Sequence, residues 1–349
     1  MSLSAAPSVR CERVSDLESI RPEWDALWAR CPSTTPFQSS AWLIPWWRHV
    51  GRGELFVLSI QIDGRLVGLV PMYVYEEGGV NKLFLLGMGT SDYMDGLFEA
   101  GFEDLVCKEA SAHMAAERST WNIAELHQLR PFSPLPRLRD SPPLKEGLGV
   151  VVEQVPMTGQ GAPLQTRESA GEPCPVLSLC GNVEDTIPKR MLQNLRYYER
   201  RAEKAGPISY KQGVFLDDLI RLHTARWRSQ GESGVLADEA VQGMHRECVP
   251  CLQRLGLLRM YALSISDRIA AVYYGFLHRG RAYYYLSGID PAFQHLSIGT
   301  LIVGCAIKEA IREGATAFDF LRGQEPYKYL WGAKDEPTNV LRFTAEGLA

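Results

Sequence analysis

The stretch from Arg281 to Trp331 most constrains what this chain can fold into. Arg-Ala-Tyr-Tyr-Tyr-Leu-Ser at 281–287 reads as a strand. An irregular loop follows, Gln294-His-Leu-Ser-Ile-Gly-Thr300. From near Gly299 the apolar spacing becomes helical, and it stops at Gly314. Ala317-Phe-Asp-Phe-Leu321 is a second, short strand, and Gly323-Gln-Glu-Pro-Tyr-Lys-Tyr-Leu-Trp331 is a polar-aromatic tail. A helix N-terminus fed by a small-residue loop is a place to hold phosphates. A strand edge beside it can hold an extended ligand by backbone hydrogen bonds. This order predicts a site for a long phosphorylated carrier such as coenzyme A.

The loop itself supports that reading. Gly299 lets the backbone approach a ligand closely, and Ser297 can cap the helix or donate to a phosphate. The helix carries no acid until Glu309, although most helices gain from acids in the first turn. Lys308 and Arg312 lie towards its far end. A plain capped helix packed on a sheet satisfies the same pattern.

At 349 residues the chain has room for two domains. Its 46% hydrophobic and 22% charged residues are those of a globular protein. A net charge of -4 does not favour nucleic acid or an anionic membrane. Met1 to Asp16 has no apolar core of the signal-peptide kind, and the apolar run 299–307 is too short to span a bilayer. The expected location is cytoplasmic. Eight scattered cysteines do not form a disulfide framework. Cys248-Val-Pro-Cys251 reads as two small apolar residues on a helix, because no second ligand pair accompanies it. The histidines show no metal-ligand spacing, so no metal is expected.

Nine of the 21 prolines lie between Pro131 and Pro175. That segment is excluded as a helix and is a poor central strand, so it is expected to be a junction with short edge strands. The halves on either side echo each other. Asp63–Pro71 and Asp267–Gly275 each read as a turn and an apolar strand, followed by a second strand, a loop, a helix and another strand. The expectation is an α/β (α+β) fold of two tandem domains, 8–145 and 146–349. In the second half, 188–205 reads as a helix from Pro188 to Gly206. Lys189, Arg196, Arg200 and Lys204 share its polar face, and 189–204 holds six basic and two acidic residues. Helices are also expected at 216–228 and 237–255, and strands at 258–265 and 269–277. In the first half, Trp42 and Trp46 share a helix face and read as core.

Gln294-x-x-Ser297-x-Gly299 resembles the Q/R-x-x-G-x-G/A pyrophosphate loop of GCN5-related N-acetyltransferases, with Ser297 in place of the first glycine. The runs Tyr283–Phe293 and Gly314–Gly332 resemble the CelD-like branch of that superfamily, linked to cellulose and exopolysaccharide biosynthesis and akin to the Fem-type peptidyltransferases. Pro36–Trp47 and Ser91–Asp95 look like the same branch, so the resemblance covers most of the chain. It implies two tandem acetyltransferase-like domains, each a mixed, mostly antiparallel sheet flanked by helices. The second would bind acetyl-CoA or another acyl-CoA. The first has Gly87-Met-Gly-Thr-Ser-Asp-Tyr93 where a carrier loop would stand.

Acyl transfer from a thioester to an amine needs a neutral amine, a donor for the developing oxyanion and an acid for the leaving thiolate. The resemblance implies carrier contacts at Leu286, Ser287, Gln294, Ser297, Ile298, Gly299 and Thr300, with amides around Leu286 to Gly288 polarising the carbonyl. Asp319 or Glu325 would take the ammonium proton, Tyr327 would protonate the thiolate, and Lys328 would neutralise a phosphate or a substrate carboxylate. Each has a plainer reading: Asp319 orders the loop, Glu325 is a turn residue, and Tyr327 packs the tail. Asp92 and Tyr93, just past a strand end, are expected to face the acceptor. Arg196 and Arg200 read as a solvated face, as contacts to an anionic acceptor, or as a grip on RNA.

The expected activity is N-acylation of a primary amine from acyl-CoA, in polysaccharide or envelope metabolism. No nucleophilic cysteine or serine is evident, so direct attack in a ternary complex is expected. Two alternatives stay open: aminoacyl transfer from charged tRNA, as in Fem-type enzymes, and a non-catalytic scaffold or regulator of a polysaccharide synthase.

Overall fold

The computed structural model describes residues 7–139, 151–152 and 164–345. Two compact units emerge, one of Met1–Glu172 with Pro337–Ala349 and the other of Pro173–Glu336. The expected division at 145/146 lies outside the described residues.

The first unit holds β1 (Ser8–Val14), α1 (Arg21–Arg30), α2 (Ser40–His49), β2 (Glu54–Ile62), β3 (Arg65–Glu77), β4 (Val80–Leu85), β5 (Leu97–Phe98), α3 (Glu103–Ala116), β6 (Ile123–Leu129), β7 (Val151–Val152) and β8 (Leu164–Ala170). The second holds β9 (Cys174–Ser178), α4 (Val183–Thr186), α5 (Lys189–Glu203), β10 (Ile208–Gln212), α6 (Leu216–Ser229), α7 (Glu239–Arg254), β11 (Leu258–Ile265), β12 (Arg268–His278), β13 (Arg281–Ile289), α8 (Ile298–Arg312), β14 (Ala317–Asp319), α9 (Pro326–Tyr329) and β15 (Lys334–Glu336). The chain then returns to the first sheet as β16 (Asn339–Ala345).

The first sheet runs β7-β1-β2-β3-β4-β6-β16-β8, with β5 on β3, and the second runs β10-β11-β12-β13-β14-β9-β15. Both are mixed and mostly antiparallel. Among the described residues, parallel pairing is confined to β1 with β7 and β4 with β6 in the first, and to β13 with β14 in the second. In each unit a helix crossover joins a parallel pair: α3 between β4 and β6, α8 between β13 and β14. This is the repeat legible in the two halves.

One expectation for the proline-rich stretch needs correction. β8 is an edge strand, but β9 lies between β14 and β15, inside its sheet. Proline is tolerated there because Pro175 needs only to accept: its carbonyl takes the Phe320 N–H. Cys248 and Cys251 lie on α7, and burial raises the Cys248 thiol pKa well above the ordinary range. Among the described residues no helix is long and apolar enough to cross a membrane.

The first core gathers around Phe56, Leu58, Val70, Leu83, Val106 and Leu126. At its margin, buried Asp95 accepts from Ser133 Oγ at 2.9 Å and from the Gly96 amide at 2.8 Å. Burial lifts its pKa to about 6, against the opposing pull of Arg130, Ser133 and Gly96. The folded state therefore favours the neutral carboxyl. That contribution is complete below the unfolded pKa and is lost as pH rises through the folded one. Comparing Asp95→Asn with wild type by urea unfolding should show wild type relatively more stable at pH 4 than at pH 7, by about 2 kcal/mol. A difference that does not change with pH would contradict this reading of Asp95.

Candidate functional site

In the second unit the parallel pair β13–β14 separates early. Arg281–Tyr283 pair with Ala317–Asp319, and β13 then continues to Ile289 with β12 as its only strand partner among the described residues. Residues 284–289 thus carry one edge with no strand on it, of the kind that accepts an extended ligand through its amides and carbonyls. Within this stretch the register slips. Tyr274 faces Leu286 and Gly275 faces Tyr284, which leaves Tyr285 as an extra residue on β13. Glycine is required opposite the bulge, because a β-carbon on Gly275 would fall 2.3 Å from the Tyr283 carbonyl oxygen.

β13 runs into the loop before α8. Asp290 caps the short 3-10 helix Pro291–Leu296 by accepting from the Ala292 amide at 3.0 Å. Ser297 then adopts the left-handed conformation, φ 58° and ψ 36°, which costs a residue with a β-carbon about 1 kcal/mol. Its carbonyl takes the Thr300 and Leu301 amides, and its own amide donates to Gln294. The Ile298 and Gly299 amides are left with no acceptor among the described residues. No acidic side chain stands in the first turn of α8. Gly299 abuts the end of β13, since a β-carbon there would lie 2.7 Å from Ile289 Cδ1. The open edge of β13 and the open amides of α8 are therefore neighbours. Gly299 meets Ile289 at the end of the strand that carries Leu286 and Ser287, Ile298 and Thr300 flank it on α8, Ser297 shapes the turn, and Gln294 is exposed.

A hydroxyl cluster lies along the open edge. Tyr284 donates to Ser287 Oγ at 2.7 Å, and its hydroxyl interacts with that of Tyr327. Burial raises both phenol pKa values, and Arg226 on α6 opposes the rise. Tyr327 therefore stays protonated at neutral pH, the form a proton donor needs. Arg226 is half-buried. Four and seven positions before it, α6 presses on β13, where a β-carbon on Gly288 would meet Leu222 Cβ at 2.8 Å and the Leu219 carbonyl at 2.9 Å. His223 lies on the same helix, 4% exposed, and accepts from Trp227 Nε1 at 2.9 Å. Burial and then Arg226 lower its pKa to about 4, so the imidazole is neutral.

Two of the expected roles give way to structural ones. Lys328 is 2% exposed. Its Nζ donates to the carbonyls of Leu321, Arg322 and Gly323 at 3.1, 2.8 and 3.0 Å, and it pairs with Glu325 at 2.9 Å. With its donors spent on the 321–325 turn, it is not placed to neutralise a substrate anion. Asp319 is fully buried, accepting from Arg281 Nη1 and from the Leu321 amide, each at 2.8 Å. Arg281 also holds Glu336 through both of its terminal nitrogens. Asp319 thus orders the chain where β14 leaves β13, which was its plainer reading. Glu325 keeps an exposed carboxylate beside Tyr327.

Of the remaining expected contacts, Arg196 and Arg200 are exposed on α5. Asp92 and Tyr93 are buried within the first unit, where the Tyr93 carbonyl accepts from Gln38 Nε2 at 2.7 Å. Sequence reasoning passed over Tyr284, His223 and Arg226. The helical spacing of Leu219, Leu222 and Arg226 was the available signal for the last. Among the described residues no cluster of His, Cys, Asp and Glu could hold a metal ion.

Residues 189–329 match the model of the acetyltransferase (GNAT) domain. A search of curated proteins finds no match. Among solved structures, FemX superposes with a TM-score of 0.63 at 10% identity, covering 95% of this chain and 96% of that one. L-PGS from Bacillus licheniformis gives 0.57 at 14% identity over 97% and 94% of the two chains. The C-terminal domain of a putative lysylphosphatidylglycerol synthetase from Agrobacterium fabrum gives 0.56 at 11% over 94% and 92%. At such identities the likeness is one of fold, and it extends over both units.

Proposed function

With a GNAT acetyltransferase domain at residues 189–329, we propose that the protein is an N-acyltransferase that uses acyl-CoA and acylates a primary amine. We place it in the CelD-like branch, in polysaccharide or envelope metabolism. The observation that carries the reading is the juxtaposition of the β13 edge at 286–289, which carries no strand among the described residues, and the Ile298 and Gly299 amides of α8, which have no acceptor among them. The first suits an amide-bearing arm, the second a diphosphate, and coenzyme A has both in one molecule. When bound, acyl-CoA supplies the activated thioester.

The chain's own groups do the rest. Amides near the bulge at Tyr285 polarise the carbonyl. Tyr327, backed by Tyr284 and Ser287, holds the proton destined for the leaving sulfur. Glu325 is the exposed carboxylate beside it and the candidate to receive the ammonium proton. Arg226 opposes the rise that burial imposes on both phenol pKa values. A thermal-shift screen against acyl-CoAs of graded chain length tests the reading. A ligand that binds only the folded state raises Tm, by about 3 kcal/mol of added stability at 100 times Kd. No shift with any acyl-CoA would remove the carrier from the account.

The exposed basic face of α5 favours a second reading, aminoacyl transfer from charged tRNA through Arg196, Arg200 and Lys204. It requires RNA binding that weakens steeply with salt. A gel shift with no tRNA complex at low salt would dispose of it.

A further inference from the structure

The last turn of α5 reaches the loop that opens α8. Arg201 donates through Nη2 to Ser297 Oγ at 3.0 Å and to the His295 carbonyl. Its guanidinium lies over the rings of Tyr198 and Tyr197, at 5.4 and 5.6 Å from their centres. Stacking of this kind fixes a planar cation and leaves its edge for hydrogen bonds. The two acceptors Arg201 chooses lie on the left-handed residue of the loop, Ser297, and two positions before it. That conformation decides which amides stay open. With Ser297 held there, its carbonyl takes Thr300 and Leu301, while the Ile298 and Gly299 amides have no acceptor among the described residues. A glycine would reach this conformation unaided. A serine resists it, and its hydroxyl is the only part of the side chain another residue can grip.

We propose that Arg201 is a positioning residue for the diphosphate-binding loop, holding Ser297 left-handed so that the Ile298 and Gly299 amides remain available. This rests on the acyl-CoA reading of the site. It assigns a task to one residue of the basic helix α5 that differs from those of its exposed neighbours Arg196 and Arg200. It also explains how a serine is sustained at a turn where glycine would be easier.

The test is a set of calorimetric titrations with coenzyme A on wild type, Arg201→Gln, Ser297→Gly and the double variant. Arg201→Gln is expected to weaken binding by about five-fold, the Boltzmann equivalent of an unsupported left-handed serine. Ser297→Gly alone should stay close to wild type. Added to Arg201→Gln, it should restore most of the lost affinity, because glycine no longer needs the guanidinium. A role in merely holding α5 together predicts a loss that Ser297→Gly does not rescue. Unchanged affinity in Arg201→Gln, or a double variant as weak as the single, would overturn the proposal. A second readout needs no ligand: amide exchange across 295–301 should quicken in Arg201→Gln. Should wild type bind no coenzyme A, the carrier reading fails, and this exchange rate alone judges Arg201. Unchanged exchange would then refute it.

Discussion

Gly299→Trp is expected to abolish coenzyme A binding while the second unit stays folded. Gly299 carries one of the two open amides and touches the end of β13 through Ile289 Cδ1. An indole at this point covers both the helix start and the strand end. The neighbour it meets first is the tip of a flexible side chain, so the cost to stability is moderate, about 1–3 kcal/mol. The loss of affinity should exceed about 100-fold, or about 2.8 kcal/mol. Gly299→Ala needs only a small shift of Ile289 and should lose far less. Calorimetry with coenzyme A, alongside urea unfolding of the same samples, checks both statements. Full affinity in the tryptophan variant would remove the loop from the account.

The second large effect concerns stability. Arg281→Met should cost about 3–5 kcal/mol, because it takes the Arg281 guanidinium away from the fully buried Asp319 carboxylate. Arg281→Met combined with Asp319→Leu should cost less than the single change, since no charge is then left buried. Urea midpoints of the two variants decide this. Equal losses would mean that the pair acts through packing alone. The consequence reaches the site, because Asp319 also holds the Leu321 amide at the start of the turn that presents Glu325 and Tyr327.

The contrast between these residues shows what the sequence could and could not reveal. Local signals sufficed for the long elements of the second unit. The strand expected at 258–265 is β11, 188–205 became α5, and the loop before α8 lies where its small residues suggested. Apolar periodicity and Gly or Pro punctuation are local, and they survive without tertiary information. Pairings between distant segments do not. Nothing near Cys174 announces that β9 will sit between β14 and β15, and nothing near Asn339 announces a return to the first sheet between β6 and β8.

Single side chains mislead for the same reason. Alternation placed Asp319 correctly on the face opposite Phe318 and Phe320, but that face is covered by Arg281, which arrives from β13. Lysines are usually exposed, and only the folded turn shows three carbonyls converging on Lys328. Arg226 was passed over because its neighbours Tyr284 and Tyr327 lie 58 and 101 positions away.

Hydrogen exchange with and without coenzyme A tests the central claim most directly. Saturating ligand should protect two segments together, 286–289 at the open edge of β13 and 298–301 at the start of α8, and leave the first unit unchanged. Absence of binding, or protection that spares either segment, would contradict the account.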